Sequence, residues 1–449
     1  MPVKFSRAAL ASAGLSALFL GVYGGCNWFT SLRSDVGTLY FQWERYIPFV
    51  PIMVIPYMSI DLFFVGAPFL CRSDRELATF AKRVTAAILV AGACFLLFPL
   101  RFAFERPHTG GWIGALFDWF RGMDMPYNML PSLHIALRTF LGTTYARHTS
   151  GVVRIASNAW FSLIAISTLL TYQHHTMDLV GGFALAGYCF YTFREVPIRL
   201  PVIANRRIGY YYLAGALIMA VVILLFRRWS YLLLWPGISF GIVASAYFGA
   251  GPGIFQKANG RLPLSTWWTL GPCLLGQRLS LLYYRLQCRP WDEVAPGVRI
   301  GRRLSNREAS AAVETGVTAV LDLTAEFSEV KAFRDLCYRN VPILDLTAPS
   351  QEQLREMAAF ISEQSEKGIV YVHCKIGYSR SAAAVGAFLL ASERCGTAEE
   401  VVALLRKVRP SIIIRPEALA ALRAFEQAPP KWDESVGLRS SVLDRSSRR

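Results

Sequence analysis

The feature that most constrains this chain is a series of apolar runs, filling most of the first 250 residues, each about as long as a helix needs to cross a bilayer, roughly 20 residues. Hydrocarbon offers no water to backbone N–H and C=O groups, so a chain crossing it must bond those groups within itself, and helices do so. The runs therefore predict a polytopic α-helical membrane bundle of about 8 spans, read at 8–28, 48–70, 84–104, 129–146, 155–172, 177–193, 208–226 and 231–250. The stretch 1–32 has a basic start, as a signal peptide does. It lacks a convincing small-residue cleavage site and further spans follow, so it reads as the first membrane helix. Composition agrees: 53% of the 449 residues are hydrophobic and 17% charged, more apolar than an ordinary soluble chain.

Charged residues become frequent only after about residue 285. The reading is a membrane domain over 1–260, an interfacial linker over 261–290, a soluble α/β domain over 291–428 and a polar, disordered tail over 429–449. Within the linker, Gly271, Pro272 and Arg278 interrupt the apolar pattern too often for a span, while Trp267, Trp268, Tyr283 and Tyr284 suit the headgroup layer. The net charge of +16 is placed in membrane-flanking Lys and Arg. No basic cluster interleaved with aromatics marks the soluble part, so nucleic acid is not an expected partner. The nine cysteines follow neither zinc-site nor disulfide-framework spacing.

The soluble part reads as strands at 318–323, 341–346 and 368–373 and helices at 351–363, 379–392 and 398–408. At the end of the last strand stands His373-Cys374-Lys375-Ile376-Gly377-Tyr378-Ser379-Arg380-Ser381. A cysteine at a strand end, a five-residue loop and an arginine at a helix start make an anion cradle from loop N–H groups and the helix N-terminus. The same field favours a Cys374 thiolate as nucleophile. Arg380 can grip two phosphate oxygens, Gly377 permits the tight backbone path, and Ser381 can donate a hydrogen bond to the departing sulfur.

This segment resembles the H-C-x5-R-S/T signature of the dual-specificity branch of the protein tyrosine phosphatases, over about 291–428. The resemblance implies a general acid on a loop about thirty residues upstream, where Asp345 fits, with Asp322 as the fallback. His373 and Lys375 join Gly377 and Ser381 as substrate-binding residues. The His-Cys-Lys-x-Gly form is similar to phosphatases acting on phosphoinositides and phosphatidylglycerophosphate, where Lys375 would meet an additional anion or else be solvated.

Four of the six histidines lie at or beside two polar breaks in the apolar part. Arg106-Pro107, then Pro131-Ser132-Leu133-His134, then His174-His175-Thr176-Met177-Asp178 resemble the three motifs of the type 2 phosphatidic acid phosphatase superfamily, over about 90–195. Leu133 makes the second motif similar to that of the inositol phosphorylceramide synthase branch. His174 and Asp178, four apart, are expected on one helical face, with the carboxylate orienting the imidazole. The resemblance implies His174 as nucleophile, His134 as acid and Arg106 as phosphate ligand. Two family cations are absent, their places taken by Pro99 and Thr168. Arg138, one turn from His134, is the candidate substitute, and Arg101 the second.

The expectation is a bifunctional lipid enzyme that needs no metal or cofactor and acts on a phospholipid or phosphorylated headgroup at the membrane. The alternative is a membrane-anchored protein phosphatase on a non-catalytic, lipid-binding bundle. Lys and Arg on the breaks sharing the N-terminal side outnumber those on the other breaks about two to one, which puts the N-terminus, and after eight spans the soluble domain, in the cytoplasm.

Overall fold

A computed structural model describes residues 3–123, 125–195, 203–226 and 228–427. The tail expected over 429–449 lies outside the described residues. By its internal contacts the chain forms two compact units, Met1–Pro197 and Ile198–Arg449. Helices over 206–285 thus group with the α/β domain, whereas the sequence reading assigned them to the membrane domain and a linker.

The first unit contains α1 (Phe5–Ser31), α2 (Val54–Leu70), α3 (Asp74–Leu97), α4 (Gly111–Met123), α5 (Leu133–His148), α6 (Gly151–Leu170) and α7 (Thr176–Thr192). In α3 the buried residues Leu77, Phe80, Val84, Ala87, Ala91 and Phe95 recur every three or four positions, the period of one helical face. Its other side leaves Leu89, Val90 and Leu97 uncovered, which is costly in water and neutral in lipid. The Ser73 hydroxyl caps α3 by accepting from the Glu76 N–H at 3.2 Å. The helix ends before Pro99, whose ring disfavours helical backbone at Phe98. The span expected over 84–104 is therefore shifted toward the N-terminus.

Among the described residues, five helices are long and apolar enough to cross a membrane, four of them in this unit. The expected spans 129–146 and 177–193 form α5 and α7, of 16 and 17 residues. The short α4, rich in glycine, was not anticipated.

The second unit opens with a hairpin of α8 (Arg206–Phe226), the fifth such helix, and α9 (Leu234–Ser245). The span expected over 231–250 includes these 12 residues of α9, after which the helix widens into a π-type turn over Ala246–Ala250 and breaks at Gly249. Next comes α10 (Leu264–Arg285), one continuous 22-residue helix where an interrupted segment was expected. Pro272 removes the N–H that would bond to the Trp268 carbonyl, and the Trp235 indole of α9 supplies the missing donor at 2.6 Å. Both ends of α10 are tied to the α/β domain. The Leu262 N–H donates to Ser328 Oγ at 3.0 Å, and Arg285 pairs with Glu308 at 3.0 Å.

The α/β domain runs β1 (Trp291–Ala295), β2 (Val298–Arg302), α11 (Asn306–Glu314), β3 (Val317–Thr324), α12 (Lys331–Arg334), β4 (Cys337–Ile343), α13 (Gln351–Ser365), β5 (Ile369–Cys374), α14 (Ser379–Ala391), α15 (Ala398–Val408) and α16 (Pro416–Glu426). The sheet order is β1-β2-β5-β3-β4, antiparallel at β1 and β2 and parallel elsewhere. Alternation divides β5 between two cores. Val370, Val372 and Cys374 pack with α13, α14, α15 and α16, while Tyr371 packs with α11 and α12. The strand expected over 341–346 is β4, displaced toward the N-terminus. It is an edge strand, so its polar Tyr338, Arg339 and Asn340 masked it.

The segment joining α9 to α10 is built into this domain. Lys257 is buried, its Nζ 2.5 Å from Asp322 Oδ2 and donating to the Thr324 carbonyl at 2.9 Å and to Thr324 Oγ1 at 3.0 Å. The Glu329 N–H donates to the Gly260 carbonyl at 2.7 Å. Lys257→Met should leave Asp322 as an under-compensated buried charge and destabilise this unit by about 3–5 kcal/mol. Denaturant unfolding of the detergent-solubilised protein, followed by tryptophan fluorescence, measures this, and adding Asp322→Asn should recover part of the loss. An unchanged midpoint in the single variant would contradict the reading.

Candidate active sites

In the α/β domain β5 delivers Cys374 to the mouth of a loop that ends at α14. Gly377 has φ +78°, and a Cβ there would meet the Gly301 carbonyl at 2.4 Å, so a larger residue would both strain the loop and displace β2. Arg380 is 3% exposed and fully engaged. It donates to Glu326 at 2.8 and 3.2 Å, to the Ile343 carbonyl at 2.9 Å and to Asp345 Oδ1 at 3.1 Å. The guanidinium thereby joins the ends of β3 and β4 to the loop. Burial alone would raise the Cys374 thiol. The Arg380 cation, the Ser381 hydroxyl and the Ile376 and Ser381 N–H groups outweigh it and bring the thiol below its ordinary value. Ser381 Oγ is buried with no other partner.

Asp345 lies where the sequence reading placed it, on the loop after β4. Burial would raise its carboxyl, but the Arg380 and Lys375 cations beside it prevail and hold it at about 2. Lys375 Nζ donates to Asp345 Oδ2 at 2.6 Å and to Gln277 Oε1 of α10 at 2.8 Å, so it is anchored inside the site and not solvated. The fallback acid, Asp322, is corrected: it is fully buried on the far side of the sheet, held by Lys257, Tyr338 and Thr324. His373 is corrected too. Alternation along β5 turns it away from the cradle, where it is fully buried with Nε2 3.0 Å from Glu329 Oε2. It cannot touch a substrate, and it supports the strand end behind Cys374. Burial disfavours its charged form, yet Glu329 and Asp322 together raise its pKa above the usual value.

Glu326, Glu329 and Lys257 escaped the sequence reading. The two glutamates follow a strand end, where an unpaired carboxylate is usually solvent-facing, and Lys257 is remote in sequence. Asp322, Glu329 and His373 bring three ligand-type atoms within 4.8 Å of one another, but the Lys257 ammonium already holds the Asp322 carboxylate. A cavity of about 470 Å³ opens over Cys374 and Arg380, with Asp345, Lys375 and Arg415 in its lining.

In the first unit a second cavity, of about 290 Å³, is lined by both His134 and His174 along with Tyr57, Asp61, Phe120 and Leu133. Close packing brings the two motifs together: a Cβ on Gly182 of α7 would lie 2.5 Å from the Ser132 carbonyl, and the Ser132 N–H donates to the Asp178 carbonyl at 3.0 Å. His174 precedes α7, so the shared helical face expected for His174 and Asp178 is not the cause of their meeting. Asp178 Oδ2 caps α7 by accepting from the His175 N–H at 2.8 Å, and that pose leaves it 3.5 Å from His174 Nδ1. His134 stacks on Tyr57 at 4.3 Å. His175 is structural, its ring set between Glu44 at 2.6 Å and the Ala103 N–H at 3.1 Å.

The two expected phosphate arginines do not line the histidine cavity. Arg106 Nε donates to the Tyr172 carbonyl at 3.0 Å. Arg138 Nε donates to the Phe161 carbonyl of α6 at 2.7 Å and lines a separate hollow with Arg147 and Arg154. One helical turn from His134 carries its long side chain to the neighbouring helix.

Residues 304–428 match the family described as dual specificity phosphatase, catalytic domain, and residues 49–192 match the PAP2 superfamily. Phosphatase domains of both types are therefore present in one chain. The α/β part is 36% identical over 149 residues to mouse Dual specificity protein phosphatase 12, covering 32% of this chain and 43% of that protein. It is 38% identical over 86 residues to human Phosphatidylglycerophosphatase and protein-tyrosine phosphatase 1, covering 19% and 42%. The chain thus spans less than half the length of these curated relatives. The solved structure of Tk-PTP in its active form is 26% identical, with 31% of this chain and 97% of that one covered and a TM-score of 0.29.

With its thiol pKa lowered, Cys374 should react with iodoacetate at pH 7 at a larger fraction of its high-pH plateau rate than an ordinary thiol of pKa about 8.5, which is only a few per cent thiolate there. Peptide mass spectrometry against pH reads this, and Arg380→Met should move the profile upward. A wild-type rate falling tenfold per pH unit below about 8.5 would contradict it.

Proposed function

We propose that this chain is a bifunctional membrane lipid enzyme. Its cysteine site hydrolyses the phosphomonoester of a phospholipid or phosphorylated headgroup, and its histidine site removes or transfers a lipid phosphoryl headgroup. The observation that carries the first half is the cluster of Cys374, Arg380, Asp345 and Lys375 in one cavity. In the first step the Cys374 thiolate attacks phosphorus in line with the leaving oxygen, the P–O bond breaks, and Asp345 donates a proton to the departing alkoxide. In the second step water attacks the phosphocysteine, its proton passes to Asp345, and the sulfur leaves as a thiolate accepting from Ser381.

Asp345 is ionised in the free site because it pairs with two cations. A bound phosphate takes those cations for its own oxygens, which strips Asp345 of counter-charge, sets an anion beside it and raises its affinity for the proton it must deliver. Lys375 gives the site a second cation beside Arg380, which suits a phosphomonoester that approaches two negative charges at pH 7.

For the histidine site the support is the joint lining of one buried cavity by His134 and His174, with Asp178 beside the latter. The second reading, a protein phosphatase joined to a bundle that binds lipid without turnover, is favoured by Pro99, Thr168 and the positions of Arg106 and Arg138 outside the lining of the histidine cavity. We place the α/β domain in the cytoplasm, with the histidine site facing the other leaflet, on the Lys and Arg asymmetry. The attachment of both ends of α10 to the α/β domain supports this, since a helix so tied does not add a crossing.

With full-length protein in mixed micelles of a lipid phosphomonoester, Cys374→Ser should abolish phosphate release from that headgroup. Any lipid reaction that survives should disappear on adding His174→Ala. Turnover of phosphopeptide alone, with no lipid reaction at either site, would establish the second reading instead. A fluorescent reporter active only in the cytoplasm, fused after Pro430, should be bright, and activity of an export-dependent reporter at the same position would overturn the arrangement.

A further inference from the structure

We propose that helices α8, α9 and α10 form the acyl-binding wall of the Cys374 site, so that the phosphatase receives its substrate laterally from the bilayer as an intact amphiphile. The proposal rests on the lipid reading of the cysteine site and deepens it. None of these helices belongs to the α/β domain that carries the catalytic loop, yet the cavity over Cys374 is lined by Tyr212 of α8, Phe240 of α9 and Gly276, Gln277 and Tyr284 of α10. The catalytic loop supplies one part of the lining, and a hairpin with membrane-span hydropathy supplies another.

The faces of α10 divide accordingly. Leu270, Leu274 and Leu281 pack inward. Pro272, Cys273, Gly276, Gln277, Ser280 and Tyr284, in pairs or singly one turn apart, face the cavity. Leu275, Leu279 and Leu282 form a third stripe and remain 57%, 58% and 55% exposed. On α8 the window of highest hydropathy is only 6% buried. A helix that borders an anion site on one face and leaves an unpaired leucine stripe on another suits the headgroup boundary, with the stripe in acyl chains and the polar face toward the phosphate. Gln277 links the two functions, because the amide that lines the wall also holds Lys375 beside Asp345. A soluble phosphopeptide would make no use of a lining that includes Tyr212 and Phe240 of the apolar hairpin, whereas a phosphomonoester lipid could lay a chain along them and place its phosphate at Cys374.

Gly276 gives the test. A Cβ built there meets nothing within 4 Å, and the position is in mid-helix, where a larger residue is tolerated or favoured. In the full-length protein, Gly276→Ala, Gly276→Leu and Gly276→Phe should progressively lower the ratio of kcat/KM for a long-chain lipid phosphomonoester to kcat/KM for para-nitrophenyl phosphate. The phenylalanine variant should reach a loss of about tenfold or more, the scale on which apolar pockets discriminate. The unfolding midpoint of each variant, read by tryptophan fluorescence, reports separately that it is folded. A ratio independent of side-chain size would overturn the wall while leaving the lipid reading intact. A wild-type protein that hydrolyses the aryl phosphate but no lipid phosphomonoester would remove the lipid reading, and the wall with it.

Discussion

A guanidinium taken out of water must be met on every side, and the way Arg380 is met organises the catalytic domain. Glu326 takes it two-pronged from beyond the end of β3, the Ile343 carbonyl takes it at the end of β4, and Asp345 takes it from the loop that follows. Two strand ends, the acid loop and the first turn of α14 are fixed to one another through that cation. The thiol of Cys374 is lowered by the same charge. In the proposed reaction a phosphate would displace this pairing, so the group that holds the site together would also be the one that recognises the substrate.

Behind the sheet a second charged cluster does comparable work at the other face. His373 stands between Glu329 and Asp322, and Lys257 reaches in from the segment between α9 and α10 to neutralise Asp322. Cys374 therefore sits at the end of a strand whose two faces are each pinned by buried charge. One of those pins comes from the apolar helical segment, so the phosphatase and the helices preceding it are a single folded unit.

Legibility from sequence followed the range of the interactions. Runs of apolar residues and the Cys374-to-Arg380 spacing are local signals, and they located most of the apolar helices, though not their bounds, together with the loop and the two histidine segments that meet at one cavity. Asp345 was legible because its spacing from Cys374 reflects one intervening helix and strand. What escaped depends on contacts between distant positions: Lys257 on Asp322, Glu326 on Arg380, and Trp235 donating to the carbonyl that Pro272 leaves unpaired. That last contact is why α10 runs unbroken through a proline that, in sequence alone, divides it. The strand alternation that turns His373 away from the cradle could have been applied to the sequence, since adjacent residues at the end of a strand face opposite layers. Arg138 misled for a related reason: helical spacing puts its Cα near His134, but a long side chain ends at the neighbouring helix.

The central claim is that phosphorus from a membrane lipid passes through the sulfur of Cys374. Rapid quench, in alkaline denaturant, of the full-length protein turning over a lipid phosphomonoester in mixed micelles, followed by peptide mass spectrometry, tests it directly. The account predicts a phosphoryl mass increment on the peptide containing Cys374, present during turnover and gone once the substrate is consumed. Phosphate release from that lipid with the increment on His174 alone, or on no cysteine, would contradict it.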